Sequence, residues 1–599
     1  MNEEKKEIEY LQLIISKIDK SIRSISDRIQ QQLDDINDVK IHLQEHKREM
    51  DRMDKNAVHE SVSQIAMLGE VSVDKKKRLM RLRDIPYFGR IDFTEKGKNK
   101  PLPVYIGVHN FQDEEDNKNL IYDWRAPISA MFYDFEPGEA AYKTQNKTVE
   151  GFISLKRQFR IRKAQMEYML DSDVTIQDEV LQKELKQASS GKMKNIVATI
   201  QREQNTIIRN ENAYNLIIQG VAGSGKTSIA LHRIAFLLYK FKDTISSEDI
   251  LIISPNKIFA GYISNVLPEL GEEMIEETSM EEIARELFDF QINFQTFYDQ
   301  VSELLIKNDE KLINRIEYKS SGSLINKIDD YLLHIENNGL KPSDIFINNK
   351  PVPAWFIEEK FKQYSRLPIL SRFNEVVREI ANNVLYYYDY EMQAKEKTEL
   401  HASIRKMFPV SNLKMMYKGL YEWLGKPEML KISKGNTYEY SDVFPLLYLK
   451  MKLSGLKPNH KVKHLIVDEM QDYSAVQYKV LSQLFPCKKT ILGDINQSVN
   501  PFSSSNLETI QSVFPDAICM SIFKSYRSTY EIIEFTKRII NNDDAEPIER
   551  HGDEPQISVF DSKEDEIENI RGFIRDFENS KDNSLGIICK TQDDADYLY

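Results

Sequence analysis

The amino-acid sequence predicts an α/β chain built on parallel sheets, with a coiled-coil arm at its start, a small β meander after the arm and a helical insertion farther on. Three observations predict it. Short apolar runs such as Leu216-Ile217-Ile218, His464-Leu465-Ile466-Val467 and Thr490-Ile491-Leu492 read as strands that end abruptly before glycine or acidic residues. A seam of isoleucines and leucines at spacings of three and four opens the chain, the a/d pattern of a coiled coil. Between these regions lie aromatic and β-branched segments separated by polar loops.

The chain has 599 residues, with 81 Lys and Arg against 94 Asp and Glu, a formal charge of −13. At roughly 100–200 residues per domain, that length predicts about three to five structural units. Hydrophobic residues at 41% and charged residues at 29% exclude a disordered tail. Cys487, Cys519 and Cys589 are too few and too scattered for a disulfide framework or a zinc site, and they fit a reducing cytosol. The opening MNEEKKEIEY lacks the apolar stretch of a signal peptide, and no run approaches the ~20 apolar residues of a membrane span. The expectation is a cytoplasmic protein with no membrane partner, monomeric on its own. The acidic balance argues against a surface that coats nucleic acid throughout, while leaving room for a local basic groove.

Taken in order, the seam runs through Ile8, Leu11, Ile15, Ile18, Ile22, Ile25 and Ile29, then Leu33, Ile36, Val39 and Leu43 with one stutter. A bundle helix packed on its own domain accounts for that pattern as well as a coiled coil does. Between Gln44 and Glu60 the seam gives way to polar residues of mixed charge. Apolar spacing resumes at Val62, Ile65 and Leu68, continues at Leu79 and Leu82, and stops at Pro86. An antiparallel hairpin with a charged tip is expected. The basic run Lys75, Lys76, Lys77, Arg78, Arg81 and Arg83 falls near its base and reads as a solvated face. From Tyr87 to about Arg162, YFGRIDF, PVYIGVHNF, NLIYDWRAPISAMFYDF and GFISLKRQFRIR predict the meander. The basic-aromatic stretch Lys156 to Lys163 reads as a strand with a solvated edge. Lys163 to Asn210 returns to a helical pattern. From about Gln291 to Gly425, FYDQVSELLIKN and FNEVVREIANNVLYYYDYEMQ predict a helical insertion, because strand signals resume only at Val462.

The strongest chemical signal is Gly220-Val221-Ala222-Gly223-Ser224-Gly225-Lys226-Thr227, which follows the apolar run ending at Ile218 and opens a helix at Ser228. That context makes it a P-loop: glycines let backbone N–H groups close around phosphates at a helix N-terminus. Lys226 would reach the β- and γ-phosphates of ATP, and the Thr227 hydroxyl would hold Mg²⁺. The strand His464–Val467 runs into Asp468-Glu469, giving one carboxylate for Mg²⁺ (Asp468) and one to orient or deprotonate water (Glu469). The strand Thr490–Leu492 runs into Gly493-Asp494-Ile495-Asn496-Gln497, where Gln497 can sense the γ-phosphate. In Lys524-Ser525-Tyr526-Arg527-Ser528, Arg527 suits a γ-phosphate finger and Tyr526 an adenine platform.

In their order, GVAGSGKT, VDEMQD, GDINQS and SYRS resemble motifs I to IV of superfamily 1A helicases of the UvrD/Rep/PcrA type. The resemblance implies a P-loop NTPase with RecA-like domains. Ile200-Gln201-Arg202-Glu203-Gln204 resembles the Q motif, which makes Gln204 the adenine reader, and Leu585 to Thr591 resembles motif IVa, a strand of the second RecA-like domain. After Gln497 these helicases carry S-I-Y-x-(W/F)-R-G-A, whereas this chain has Asn500 for the Tyr and Ser503 for the Arg, keeping only Phe502. Base stacking is worth ~1–3 kcal/mol per aromatic, so the departure weakens a motor that steps on DNA. Ser254-Pro255-Asn256, Phe259 and Tyr262 likewise replace the T-N-K-A-A-x-E-M of motif Ia.

The coiled coil, YFGRIDF, Asp123-Trp124-Arg125-Ala126-Pro127, the SPNKIFAGYISNVLPELGEE segment and the insertion together resemble HelD, a helicase-like ATPase that binds bacterial RNA polymerase. The implied organisation is a coiled-coil arm (1–86), a small β-rich domain with a linking helix (87–190), a first RecA-like domain in two parts (191–290 and 426–515) split by a helical insertion arm (291–425), and the start of a second RecA-like domain (516–599). The implied partner is the polymerase core, with DNA or RNA as a further partner; the hairpin would enter the secondary channel and the insertion the main channel. Tip acids Glu45, Glu49, Asp51, Asp54 and Glu60 would then approach the polymerase Mg²⁺, although the interleaved Lys47, Arg48, Arg52 and Lys55 favour a plain solvated tip. No counterpart of motifs V and VI precedes Tyr599, so the expectation is an incomplete second domain that binds ATP and hydrolyses it poorly without its second arginine finger.

Three readings remain. An ATPase releasing stalled or post-termination RNA polymerase fits the most residues. A superfamily 1A DNA helicase or translocase in repair or recombination fits the motif order, and a non-catalytic interaction protein, in which the coiled coil and arms do the work, has no need for the set Lys226, Thr227, Asp468, Glu469, Gln497 and Arg527.

Overall fold

The structure is a computed structural model and describes residues 3–598 apart from 46–51, 114–115, 145, 172–201, 256–265, 269, 271, 308, 409–411, 434, 499–501, 503–505, 541–543, 549, 581–583 and 590–591. The chain forms two compact units, the first holding residues 1–211, 231–244 and 264–274, the second the remainder. Among the described residues, no helix is long and apolar enough to cross a membrane.

In the first unit, helix α1 (Glu3–Glu45) and helix α2 (Arg52–Asp84) pair along the heptad seam. Among the described residues the seam is buried only near its root, where Leu11, Ile18 and Ile25 meet Leu79 and Leu82; Ile14, off the expected seam, is buried there in place of Ile15, which is half-buried, and Ile8 is exposed. Farther out, Leu33, Ile41, Leu68 and Val71 are exposed. The root is buried because α1 also packs on a sheet. Tyr10 stacks on Tyr105 at 4.0 Å and donates its hydroxyl to Leu120 O. Burial holds the phenols of Tyr10, Tyr87 and Tyr105 above their ordinary range.

That sheet comprises β1 (Gly89–Glu95), β2 (Leu102–Gly107), β3 (Phe111–Gln112), β4 (Asn119–Asp123), β5 (Gly138–Lys143), β6 (Thr148–Arg162) and β7 (Gln165–Asp171), in the order β3-β4-β2-β1-β6-β5 with β7 also on β6. All pairs are antiparallel except β2 with β4. Two expectations change here. Lys163 and Ala164 turn through positive φ and Gln165–Asp171 continues as a strand, so the helical pattern does not begin at Lys163; residues 172–201 of that expected helix lie outside the described residues. The basic stretch on β6 is central, not a solvated edge. Lys156 is buried and donates to Phe135 O and Glu136, Arg157 binds Glu7 and Asp171, and Arg160 binds Glu167. Each of these three cations already has an acid partner within the unit.

The distinctive Asp123-Trp124-Arg125 also serves the first unit. Arg125 bonds bidentately to Asp123 at 2.8 and 2.7 Å and reaches Glu272, while Arg209 donates to the carbonyls of Trp124 and Arg125. Buried Trp124 meets His232 edge-on at 5.5 Å.

The second unit is built on a six-stranded parallel sheet. Its order is β10 (Glu276–Thr278), β9 (Ile250–Ile253), His464–Val467, Lys488–Gly493, β8 (Asn215–Gly220) and Ile518–Ile522. Ile250–Ile253 and His464–Val467 are buried throughout, as parallel strands covered on both faces require. The helical region between Phe297 and Trp423 interrupts the sequence between neighbouring strands. Its apolar faces share one continuous core with the sheet, in which Ile217, Leu251 and Val467 join Leu324, Ile380, Phe408 and Tyr417. The expected insertion is therefore packed into the unit that carries the sheet. An ionic cluster pins its helices: Arg315 and Lys319 bind Glu439, Lys319 binds Asp442, and the Tyr417 hydroxyl donates to Asp442, all buried.

Strand Ile518–Ile522 pairs with β8, so the first sheet extends past the expected boundary at residue 516. Beyond it, Lys524–Ser525 pairs with Glu546–Pro547, and the helices Tyr530–Ile540, Lys563–Glu578 and Gln592–Leu598 follow. The strand expected from Leu585 to Thr591 is not formed over Leu585–Cys589, which are irregular, and residues 590–591 lie outside the described residues. Ile588 is 99% exposed; an apolar run without neighbouring strands cannot satisfy its backbone as a ladder.

Candidate functional site

Four adjacent parallel strands deliver their C-terminal ends to one edge of the sheet, the edge where α/β folds bind ligands. Strand β8 ends at Gly220 and enters the P-loop. His464–Val467 ends at Asp468-Glu469, Lys488–Gly493 ends at Asp494, and Ile518–Ile522 leads to Ser525-Tyr526-Arg527. Residues more than 300 positions apart in sequence, such as Ala222 and Ser525, thereby meet.

Local chemistry shapes the loop. Gly223 and Gly225 have φ of 74° and 82°, the left-handed region that favours glycine, and the helix starts at Lys226. A Cβ on Gly223 would lie 2.7 Å from Arg527 Cβ and 2.9 Å from Ser525 Oγ, so glycine allows the Tyr526-Arg527 segment to close on the loop. Ser525 Oγ donates to Ala222 O at 2.7 Å, and Tyr526 N donates to Gly223 O at 3.0 Å. Lys226 Nζ donates to Gly220 O and Val221 O at 2.9 and 3.2 Å, which draws the ammonium over the loop.

The electrostatics converge on the same point. Burial pulls the Lys226 ammonium below its ordinary range, against the charges of Asp494, Glu469 and Asp468, while Arg527 pushes the same way as burial. Burial and the charge of Glu469 push the Asp468 carboxyl up to about 7, with Lys226 opposing. A divalent cation beside Asp468 would offset the upward push on that carboxyl, and Thr227, half-buried at the start of the same helix as Lys226, supplies a hydroxyl. Among the described residues no group of three or more His, Cys, Asp and Glu side chains gathers around a metal. One carboxylate, one hydroxyl and substrate oxygens are the kind of set Mg²⁺ accepts, so the residues present fit it.

Glu469 is a non-glycine residue at φ 51°, a strained conformation of the sort concentrated at functional sites. Gln471 fixes it, donating from Nε2 to Glu469 Oε2 at 2.8 Å while its Oε1 accepts from Asp494 N at 2.9 Å. Asp494 in turn accepts from Gln219 Nε2 at 3.0 Å and from Gln497 Nε2, and Gln219 Oε1 accepts from Ile495 N. Sequence reasoning assigned no role to Gln219, Gln471, Asp494 or Ser525. Their signal was present, since each lies within a few residues of an assigned one, but only the folded sheet reveals that they connect.

The structure thus brings together Gly220 to Lys226, Asp468, Glu469, Asp494 and Arg527, with Val221, Ala222 and Ser224 on the loop and buried Ser228 in the helix. Gln497 is exposed and turned to Asp494; Tyr526 is half-buried beside the loop through its backbone. Gln204 is buried on the helix Arg202–Ile208 of the first unit. Of the tip acids, Glu45 and Glu60 are exposed on α1 and α2; Glu49 and Asp51 lie outside the described residues, as does the side chain of Asp54. The altered motif III residues Asn500 and Ser503 lie outside them as well.

Residues 200–517 match the family model described as the UvrD/REP helicase N-terminal domain, and residues 4–188 match that of the DNA helicase IV HelD N-terminal domain. The chain is 20% identical over 389 residues to a putative ATP-dependent DNA helicase, YjcD, of Bacillus subtilis, which covers 61% of this chain and 42% of that protein. It is 22% identical over 361 residues to the ATP-dependent DNA helicase PcrA of Staphylococcus epidermidis, covering 58% and 41%. To the ATP-dependent DNA helicase Rep of Buchnera aphidicola it is 29% identical over 119 residues, 18% of each chain. The matched stretches span less than half the length of these relatives.

Proposed function

For a chain that belongs to the UvrD/REP helicase family and carries a HelD-type N-terminal domain ahead of its P-loop, we propose an ATP-driven motor that binds bacterial RNA polymerase and releases it from stalled or post-termination complexes. The observation that supports this reading is one polypeptide joining a long helical hairpin to a P-loop surrounded by Lys226, Asp468, Glu469, Asp494 and Arg527.

ATP would lie along the P-loop, its phosphates replacing the carbonyls that now hold Lys226. Thr227 and Asp468 would hold Mg²⁺, which would neutralise the charge that develops on the transferred phosphate. Glu469, kept in place by Gln471, would orient the attacking water. Gln497 would leave Asp494 for the γ-phosphate, and Arg527, whose segment closes on Gly223, would carry the phosphate state into the residues after Ile522. Gln204 and Tyr526 would read and stack the adenine.

The test sets core RNA polymerase against single-stranded DNA at physiological salt. Stoichiometric co-elution with the polymerase on gel filtration, together with weak DNA binding by fluorescence anisotropy, is the expected result. Tight DNA binding without co-elution would overturn it in favour of a DNA helicase or translocase, the reading favoured by relatives named as ATP-dependent DNA helicases. Lys226→Ala should abolish nucleotide-dependent release while leaving the circular dichroism spectrum unchanged; persistent ATP turnover in that variant would refute the site. Neutralising Glu45 and Glu60 should slow release if the tip acids approach the polymerase centre, and normal release would remove them from the mechanism.

A further inference from the structure

The backbone around Arg527 is gripped from two directions. On one side Ser525 Oγ donates to Ala222 O, Tyr526 N donates to Gly223 O, and Gly223 packs against the Arg527 Cβ. On the other side Arg550 Nη1 donates to Arg527 O at 3.0 Å. Peptide units are planar and only φ and ψ turn, so holding the chain on both sides of one Cα fixes the direction in which its side chain leaves the backbone. The Arg527 side chain is exposed and has no carboxylate partner among the described residues, and its charge is felt at Lys226. The fold fixes the base of this arginine and leaves its head for a ligand.

Arg550 is tied in turn to the helix Tyr530–Ile540, which begins three residues after Arg527. Its carbonyl accepts from Tyr530 N at 2.8 Å, and its own N–H donates to Ile548 O at 2.7 Å. The next two residues extend the tie. His551 Nδ1 lies 2.7 Å from Glu531 Oε1, and Gly552 N donates to Glu531 Oε2 at 2.9 Å. A Cβ on Gly552 would lie 2.8 Å from Thr529 Cγ2, so glycine lets this segment close on the start of the helix. The contacts with His551 and the Gly552 N–H hold the Glu531 carboxyl down to about 2, which keeps it an anion and an acceptor. The half-buried Arg550 has no carboxylate partner among the described residues, and an ionised donor makes the bond to Arg527 O stronger than a neutral one would be.

We propose that Arg550 is the positioning residue of the Arg527 finger, and that Glu531 keeps Arg550 in place by anchoring residues 551–552. The inference rests on the reading of Arg527 as the group that meets the γ-phosphate. Arg550 acts through the carbonyl of Arg527 and makes no hydrogen bond to the P-loop among the described residues. Removing it should leave the phosphates common to ADP and ATP bound as before and misplace the donor for the γ-phosphate alone. A clasp that merely stabilised the fold would weaken both nucleotides alike.

The test measures the preference for a γ-phosphate, the ratio of affinities for the non-hydrolysable ATP analogue AMP-PNP and for ADP, by calorimetry with Mg²⁺ on the full chain. Arg527→Ala should cut that preference at least about tenfold, the loss of one charge-assisted bond to phosphate. Arg550→Ala should cut it about fivefold while ADP affinity stays within about twofold. Arg550→Lys keeps one donor and should recover part of the preference, and Glu531→Gln should act in the direction of Arg550→Ala, more weakly. The decisive comparison is the double variant. Once Arg527 is gone, adding Arg550→Ala should change nothing further, because a residue that works only through another has no effect without it. Circular dichroism checks the fold, and Arg550→Lys with Glu531→Gln carry the test if Arg550→Ala is misfolded. Unchanged preference in the Arg550 and Glu531 variants, equal losses for ADP and AMP-PNP, or additive losses in the double variant would each overturn the proposal while leaving the finger in place. A preference unmoved by Arg527→Ala would instead remove the finger itself, and the proposal with it.

Discussion

Glu7 is the residue on which attachment of the hairpin root turns, and Glu7→Gln measures how much. The carboxylate is 1% exposed and accepts from Tyr105 Oη at 2.9 Å, from Arg157 Nη1 at 2.8 Å and from Arg90. Breaking a buried ion pair by removing one partner typically costs ~3–5 kcal/mol, because the surviving charge is left uncompensated. Here the loss is cushioned. Arg157 keeps Asp171 at 2.5 Å and Arg90 keeps Asp92 at 2.7 Å, and a glutamine can still accept one hydrogen bond. The expected cost is therefore about 3 kcal/mol, the low end of that range. At a urea dependence of about 3 kcal/mol per molar, the midpoint should fall by about 1 M. Trp124 is the natural reporter, being fully buried in the same unit, while Trp355 and Trp423 are exposed and can be changed to Phe so that only Trp124 emits. The control is Glu3→Gln. Glu3 lies 3.7 Å from the same Arg157, but its side chain is 58% exposed, and exposed pairs contribute ~0–1 kcal/mol. Equal midpoints for the two variants would refute the argument that burial of Glu7, not its charge alone, fixes α1 to the sheet.

Three further outcomes follow from the geometry. Gly223→Ala forces a Cβ to within 2.7 Å of Arg527 Cβ at a φ of 74°, so ATP affinity by equilibrium binding should drop about tenfold or more; unchanged affinity would mean that the segment at Arg527 does not close on the loop. Gln471→Ala frees both Glu469 and the Asp494 backbone, and single-turnover hydrolysis of bound ATP should slow about tenfold while nucleotide affinity stays within about twofold; a loss confined to affinity would assign Gln471 to binding instead. His109 has a folded pKa of about 4 against an ordinary 6.5, so the unfolded chain takes up the proton first as pH falls. The stability this contributes is complete above pH 6.5 and is lost between about 6.5 and 4, roughly 2 kcal/mol of it by pH 5. His109→Asn should accordingly shrink the difference in urea midpoint between pH 7 and pH 5, and an unaltered difference would dissociate His109 from the acid sensitivity.

The sequence by itself determined the elements whose causes are local. Glycines at 220, 223 and 225, a lysine and a hydroxyl behind them, and apolar runs ending in Asp-Glu and Gly-Asp specify strand–loop–helix units whatever lies elsewhere, so the P-loop and its carboxylates were legible residue by residue. The heptad seam likewise specified two paired helices. Periodicity states that a face is apolar without stating what covers it. Burial of the seam at Leu11 and Ile18, the burial of off-seam Ile14 beside them, and exposure of the seam at Leu33 and Leu68 follow from the sheet that α1 meets at Tyr10 and Glu7. The same holds for charge. Lys156, Arg157 and Arg160 read as a solvated edge because their acids, Glu136, Glu7, Asp171 and Glu167, lie on other elements, and pairing across 150 residues leaves no mark in a local window. The insertion showed its helices but not the core it shares with the sheet, and the run at Leu585 looked like a strand because apolar content is local whereas a ladder needs neighbours. What only the tertiary structure decided is which distant groups become neighbours: Gln219 with Asp494, Gln471 with Glu469, Gly223 with Arg527, and Arg78 of α2 with His109. The physical reason is that electrostatic and hydrogen-bond energies depend on separation in space, and in a parallel sheet adjacent strand ends come from remote parts of the chain.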